Sequence, residues 1–255
     1  MSFDVAAEAY EAFMGRWSRQ LSPPFLERSG LRRGDRALDV GCGPGILTEP
    51  LVALLGGADH VSAVDPSEPF VAAARSRFPT VDVRQGSAEA LPFDDGVFDG
   101  ALAQLVVHFM TDPVAGLREM ARVTRPGGVV LASVWDFGAG RGPLSTFWRV
   151  ALELDPGATD ESRLPGAREG HLVDIADRAG LVDVEPFELT VSLHVESFEE
   201  WWEPYTRGVG PAGSYVAGLA PSAREALEAR LRDVLPESPF DDAATAWGVR
   251  GRRNM

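Results

Sequence analysis

The chain has 255 residues, 45% hydrophobic and 24% charged, enough to bury a full core around one α/β unit with attached substrate elements. Its 38 acidic and 24 basic residues leave a formal charge of −14, without the basic stripe that a phosphate backbone needs, so nucleic acid is a poor expected partner. No run approaches the roughly 18 apolar residues of a membrane span, the acidic start lacks a secretory pattern so that a cytoplasmic location is expected, and one cysteine with four scattered histidines offers neither a disulfide nor a metal site.

Two helical segments open the chain, over 5–17 and 22–30, the second with Ser22 as its cap and Pro23 in its first turn. From 36 to 135 short β-rich runs alternate with helical stretches, the pattern of a parallel sheet wound by right-handed crossovers. The strands are predicted at 36–40, 60–65, 81–86, 98–107 and 128–135. Between them Ser67 can cap one helix, and Asp112 with Pro113 opens another that "RPGG" at 125–128 stops. Beyond come an insertion over 137–170, the helix "HLVDIADRAG", the strand "VDVEPFELTVSLHV", an aromatic-rich insertion opened by the capping box "SFEE", and a last strand "ATAWGVRG". Both insertions leave from the strand ends where open α/β sheets bind ligands, so both are expected to arch over one mouth.

The stretch "LDVGCGPGIL" at 38–47 is a glycine-rich turn between the first strand and a helix. A dinucleotide fingerprint reads G-x-G-x-x-G and receives a pyrophosphate. Here the glycines are Gly41, Gly43 and Gly45, with Asp39 two residues ahead. A carboxylate there repels pyrophosphate but can accept from an ammonium group, directly or through water.

The motif D-x-G-x-G-x-G, the acid Asp65 closing strand two in "VDPSE", and the run "GSAEALPFDDGVFDGALAQLVVHFMTDPVAGLREMARVTRPGGVVL" occur in one order. That order resembles the small-molecule, type 11 group of class I S-adenosylmethionine-dependent methyltransferases. The resemblance implies a Rossmann-like α/β fold, a seven-stranded, mostly parallel sheet with its last strand antiparallel, and helical lid insertions. It implies transfer of a methyl group from S-adenosylmethionine to an oxygen, nitrogen, sulfur or carbon nucleophile of a small-molecule acceptor, leaving S-adenosylhomocysteine. One unit is expected, with covering helices over 1–34, a cofactor core over 35–136, substrate covers over 137–170 and 196–240, and a last strand and tail over 241–255.

Carried over by position, Gly41, Gly43 and Gly45, with the backbone of Cys42 between them, line the methionine part and Asp39 sits near its amino group. Asp65, followed by Pro66 and Ser67, holds the ribose, and its removal is expected to weaken binding with little effect on folding. Ala88 and Glu89 flank the adenine, and Gln104 approaches the methionine end. Many relatives have aspartate at Ser87, whose hydroxyl oxygen can still accept from the adenine amino group. The segment "YEAFMGRWSR" is similar to a cofactor-covering element, so Tyr10 and Arg16 are expected to close over the ligand, Arg16 near its carboxylate. His108, just beyond strand four, is the candidate catalytic base, titrating near 6.5 unless shifted. The competing reading packs it among Val106, Val107 and Phe109.

Other readings stay open. A regulator that binds the cofactor without turnover keeps the glycine turn and Asp65 but has a sealed or empty acceptor pocket. A nicotinamide-dependent reductase needs the other glycine spacing and a proton-donating tyrosine or serine. "SPPF" at 22–25 imitates a motif of nucleic-acid amino methyltransferases but stands before strand one instead of after strand four. Trp201, Trp202, Tyr205, Phe137, Phe147 and Trp148 are core or ligand wall. His171 is a surface or capping residue, and His60 and His194 lie at strand edges with no evident partner.

Overall fold

The first two strands, β1 (Ala37–Val40) and β2 (Val61–Asp65), are buried at every residue, as strands covered on both faces must be. This computed structural model describes residues 11–255, so Tyr10 lies outside the described residues. With β3 (Asp82–Gln85), β4 (Phe98–Gln104), β5 (Thr124–Trp135), β6 (Val182–Val195) and β7 (Phe240–Arg252), they form one sheet in the order β3-β2-β1-β4-β5-β7-β6. Pairing is parallel from β3 to β5, and β7 runs antiparallel to both β5 and β6. The expected α/β class and its antiparallel last strand are both present.

A π-helical turn (Glu11–Gly15) leads into α1 (Arg16–Ser29). The core helices are α2 (Thr48–Leu55), α3 (Glu68–Arg77) and α4 (Pro113–Val123). The first insertion carries α5 (Ser145–Leu154), and α6 (His171–Ala179) follows it. The second insertion carries α7 (Phe198–Trp202), α8 (Gly210–Gly218) and α9 (Pro221–Val234). None of the described helices is long and apolar enough to cross a membrane.

The chain builds outward from β1 to β3 and then returns to place β4 on the other side of β1, opening a crevice over the carboxyl ends. Register pairs Asp39 with Leu102, Asp65 with Gln85 and Gln104 with Ser133. The ends of β1, β2, β4 and β5 therefore share one rim.

Local structure departs from the sequence expectation in four places. The two N-terminal segments are continuous through α1, so Ser22 is not a cap. Its hydroxyl instead donates to the Ser18 carbonyl at 2.8 Å, and Ser18 Oγ donates to Met14 at 3.1 Å. The helix survives Pro23 and Pro24 because the carbonyls they leave without a helical donor belong to exposed Arg19 and Gln20. Strand β4 ends at Gln104 rather than 107, since Leu105 turns left-handed at φ 62° and a 3-10 turn (Val107–Phe109) follows. Ser67 caps nothing with its side chain; its N–H goes to Asp65. The "RPGG" segment lies within β5, and the preceding helix stops at Val123. Asp112 does cap α4, accepting from Ala115 N at 3.0 Å, and Ser197 caps α7.

The two insertions pack on each other over that rim. Phe147 stacks on Tyr205 at 4.7 Å, Trp148 lies 5.7 Å from Tyr215, and Arg230 pairs with Glu153 at 3.2 Å. Phe13 is edge-on to Tyr205 of the second insertion, and Trp17 is edge-on to Trp135 at the end of β5. Trp201, Trp202, Tyr205 and Phe147 are buried, the core alternative of the sequence reading. His171 Nδ1 accepts from Gly166 N at 3.1 Å. His194 does have a partner, Asp241 at 2.7 Å, which only the β6–β7 register brings opposite it.

Candidate active site

The glycine turn hangs from β2. The N–H groups of Gly41 and Cys42 donate to the Val64 carbonyl at 2.8 and 3.0 Å, and Gly45 N closes back on Cys42 O at 2.9 Å. All three glycines have positive φ, but for different surroundings. A Cβ on Gly41 would stand 2.6 Å from Val106, and one on Gly45 2.4 Å from Phe78, so both are spaces already filled by protein. A Cβ on Gly43 would meet nothing within 4 Å, which leaves an open cradle at the centre of the turn.

Asp65 ties this cradle to the end of β2. Its Oδ2 accepts from Gly43 N at 2.9 Å and its Oδ1 from Ser67 N at 2.8 Å. Burial raises its pKa above the ordinary carboxylate value, opposed by those two bonds. Asp39 lies buried at the root of the turn, accepting from Thr48 Oγ1 at 2.6 Å. Burial pushes it up to about 7, with Thr48 opposing and the Asp65 charge adding. The same burial and both carboxylates push the Cys42 thiol up, so this residue offers backbone and not a thiolate.

Gln104, at the end of β4, donates through Nε2 to Ser18 O at 3.0 Å, while its buried Oε1 has no partner among the described residues. Two buried acids, an open glycine and a spare amide oxygen match a cationic amino acid head joined to a ribose. S-adenosylmethionine fits this set: its ammonium supplies the missing positive charge and donors, and its ribose hydroxyls can donate to Asp65.

The remaining sequence candidates are placed less directly. Ala88 is buried and Ser87 half-buried beyond β3. Glu89 Oε1 accepts from Thr111 N at 2.8 Å and Asp112 N at 3.3 Å, so this oxygen orders the turn before α4. Pro66 is exposed and its carbonyl accepts from Gln85 Nε2 at 3.2 Å. Arg16 pairs with Glu200 of α7 at 2.6 Å and lines a pocket with Trp201, Pro204 and Asp242 that includes no residue of the glycine turn.

Beside the rim, both insertions and the π-helical turn line a cavity. Phe13, Leu105, Phe137 and Val209 make it largely apolar, and His108 and Glu161 also line it. The left-handed turn at Leu105 carries His108 into the wall, 3.8 Å ring to ring from Phe109. Burial lowers its pKa to about 3 rather than near 6.5, so the imidazole is neutral and a weak base at ordinary pH. Its Nδ1 and the Nε1 of Trp135, another lining residue, are buried without partners among the described residues.

Glu161 was not singled out as a site residue in the sequence, where it falls within the insertion over 137–170. It is 4% exposed, accepts from Trp148 Nε1 at 2.8 Å, and is pushed up to about 7 chiefly by burial. No local signal marks it, and it shares the cavity wall with Phe137 and Leu144 of its own insertion and Val209 of the second.

Comparison with known proteins agrees with this geometry. A family described as "Methyltransferase domain" matches residues 38–132, from the glycine turn into β5. An uncharacterized protein of Mycobacterium tuberculosis is 33% identical over 189 residues, covering 70% of this chain and 68% of that protein. A malonyl-[acyl-carrier protein] O-methyltransferase of Erwinia billingiae is 34% identical over 132 residues, 52% of this chain and 51% of that enzyme. Among solved structures, phosphoethanolamine N-methyltransferase 2 of Haemonchus contortus in complex with S-adenosyl-L-methionine superposes with a TM-score of 0.60 at 21% identity, over 98% of this chain and 57% of that one. Motif, fold and sequence similarity converge, and the chain belongs to the class I S-adenosylmethionine-dependent methyltransferases.

Proposed function

We propose that this methyltransferase acts on a small molecule, moving the methyl group to an oxygen, nitrogen, sulfur or carbon nucleophile within the cavity beside β4. Bound at the glycine turn, S-adenosylmethionine supplies a methyl group already activated on a sulfonium sulfur. The chain's own task is to hold the donor and orient the acceptor, and orientation alone can lower a barrier by about 7–11 kcal/mol. Gly43, Asp65, Asp39 and Gln104 would hold the donor, and Phe13, Leu105, Phe137 and Val209 would shape the acceptor space.

The observation that carries this reading is the largely apolar cavity adjoining the end of β4, walled by residues of both insertions and holding a few polar groups, Glu161, His108 and Trp135, as small-ligand sites do. A regulator that binds the cofactor without turnover has no need of such a space. Incubating the protein with S-adenosylmethionine and a metabolite library, and measuring S-adenosylhomocysteine release, tests it. Release with one compound class supports the assignment; release only with a nucleic acid or protein acceptor refutes the small-molecule part.

A further inference from the structure

The acceptor cavity is chemically lopsided. Its lining residues include no arginine, and its polar content is Glu161, the neutral His108 ring and the Trp135 indole. The two ring nitrogens named above have no partner among the described residues, which leaves them available to a ligand or water. Among the described lining residues Glu161 is the one acid, and with its pKa pushed up to about 7 it accepts as a carboxylate above neutral pH.

A purely structural reading of Glu161 is that it pins Trp148, whose indole N–H it receives. One oxygen suffices for that, and a neutral amide would serve without the penalty of burying a charge. The ionised neighbour that acts on Glu161 is Asp160, which opposes ionisation instead of relieving it. A carboxylate kept there against both burial and a like charge gains from a ligand that donates to it.

Building on the small-molecule methyltransferase reading, we infer that Glu161 is the acceptor-recognition residue of the cavity, selecting largely apolar acceptors that present an O–H or N–H donor and rejecting anionic ones. The apolar walls take the body of such a molecule, the carboxylate takes its donor, and the Trp135 N–H is available to an acceptor atom on the same ligand. An anionic acceptor would instead set its charge against Glu161 with no arginine in the wall to offset it.

Three probes with one shared apolar body test this: para-propylphenol, para-propylbenzylamine and para-propylbenzoate, titrated calorimetrically at pH 8 into protein saturated with S-adenosylhomocysteine. The phenol and the amine should bind about tenfold or more tighter than the benzoate. Glu161→Gln, which can still accept from Trp148, should bring the three within about threefold of one another and leave S-adenosylhomocysteine affinity unchanged. Equal wild-type affinity for the benzoate, absence of saturable binding by the donor probes, or a Gln variant that keeps the ranking overturns the inference. Failure of S-adenosylhomocysteine itself to bind would instead count against the methyltransferase reading, which keeps the two failures distinct.

Discussion

Asp65 Oδ2 receives the Gly43 N–H at 2.9 Å, so the acid proposed to hold the ribose also holds the turn that forms the cradle. Because its other oxygen takes the Ser67 N–H, removing the carboxylate leaves two backbone donors without their partner. Asp65→Ala should therefore weaken S-adenosylmethionine binding by roughly 1.5–3 kcal/mol and lower folding stability by about 1–3 kcal/mol. That second effect departs from the sequence expectation of little change in folding. Calorimetric titration and chemical denaturation of the same preparation measure both; a stable variant with unchanged affinity would remove Asp65 from the site.

The three turn glycines should respond differently to a side chain. The Cβ of Gly43→Val falls in open space, so beyond the strain of left-handed backbone, about 1–2 kcal/mol for an L-residue, it should fold and lose cofactor binding. Gly45→Ala drives a Cβ into Phe78, and its main effect should be a lower melting temperature. Normal cofactor affinity in a folded Gly43→Val protein would show that the ligand does not enter the cradle.

Asp39 predicts a pH signature. Its folded pKa of about 7 lies above the ordinary 3.8, so the native state holds a proton that the unfolded chain releases. Its contribution to stability is therefore greatest below pH 4 and declines as pH rises from about 4 to 7, by up to about 4 kcal/mol for a fully buried group. Thr48 and Asp65 act on this carboxylate, and the Asp65 charge reinforces the trend while the Thr48 hydroxyl opposes it. A bound ammonium favours the ionised form, so S-adenosylmethionine binding near pH 6.5 should release a proton. Calorimetry in two buffers of different ionisation enthalpy detects that release, and identical heats would argue against an ammonium contact at Asp39.

His108 should not impose an acid limb near pH 6.5. With burial holding its pKa at about 3, His108→Asn is expected to leave the pH dependence of turnover between 5 and 9 unaltered, apart from a change in rate from altered packing. A limb near 6.5 that vanishes in the variant would restore the base assignment.

What the sequence made legible was local or periodic. The turn could be read because its glycines and two acids lie on consecutive pieces of chain, and the sheet because its buried strands are short apolar runs between helix caps. The break after Gln104 was hidden, since "QLVV" has the composition of a strand and only the positive φ of Leu105 redirects it. Glu161 was hidden for a stronger reason: its burial and its contact with Trp148, 13 residues away, exist only once the first insertion has folded back on itself. The Arg16–Glu200 pair is likewise invisible at a separation of 184 residues.

That pair supports a last prediction. The resemblance puts Arg16 at the cofactor carboxylate, whereas the geometry links it to α7 in the second insertion at 2.6 Å. Both side chains are about one-third exposed, so the pair is worth at most about 1 kcal/mol, enough to bias a cover and too little to hold the fold. If Arg16 is a latch, Arg16→Ala and Glu200→Gln should behave alike. Each should raise acceptor KM, speed proteolytic cutting within 196–240, and leave S-adenosylmethionine affinity within about twofold. If Arg16 instead reaches the cofactor on binding, Arg16→Ala alone should lose about tenfold or more in that affinity, and Glu200→Gln should not. Measuring both variants separates a residue that closes the site from one that grips its ligand.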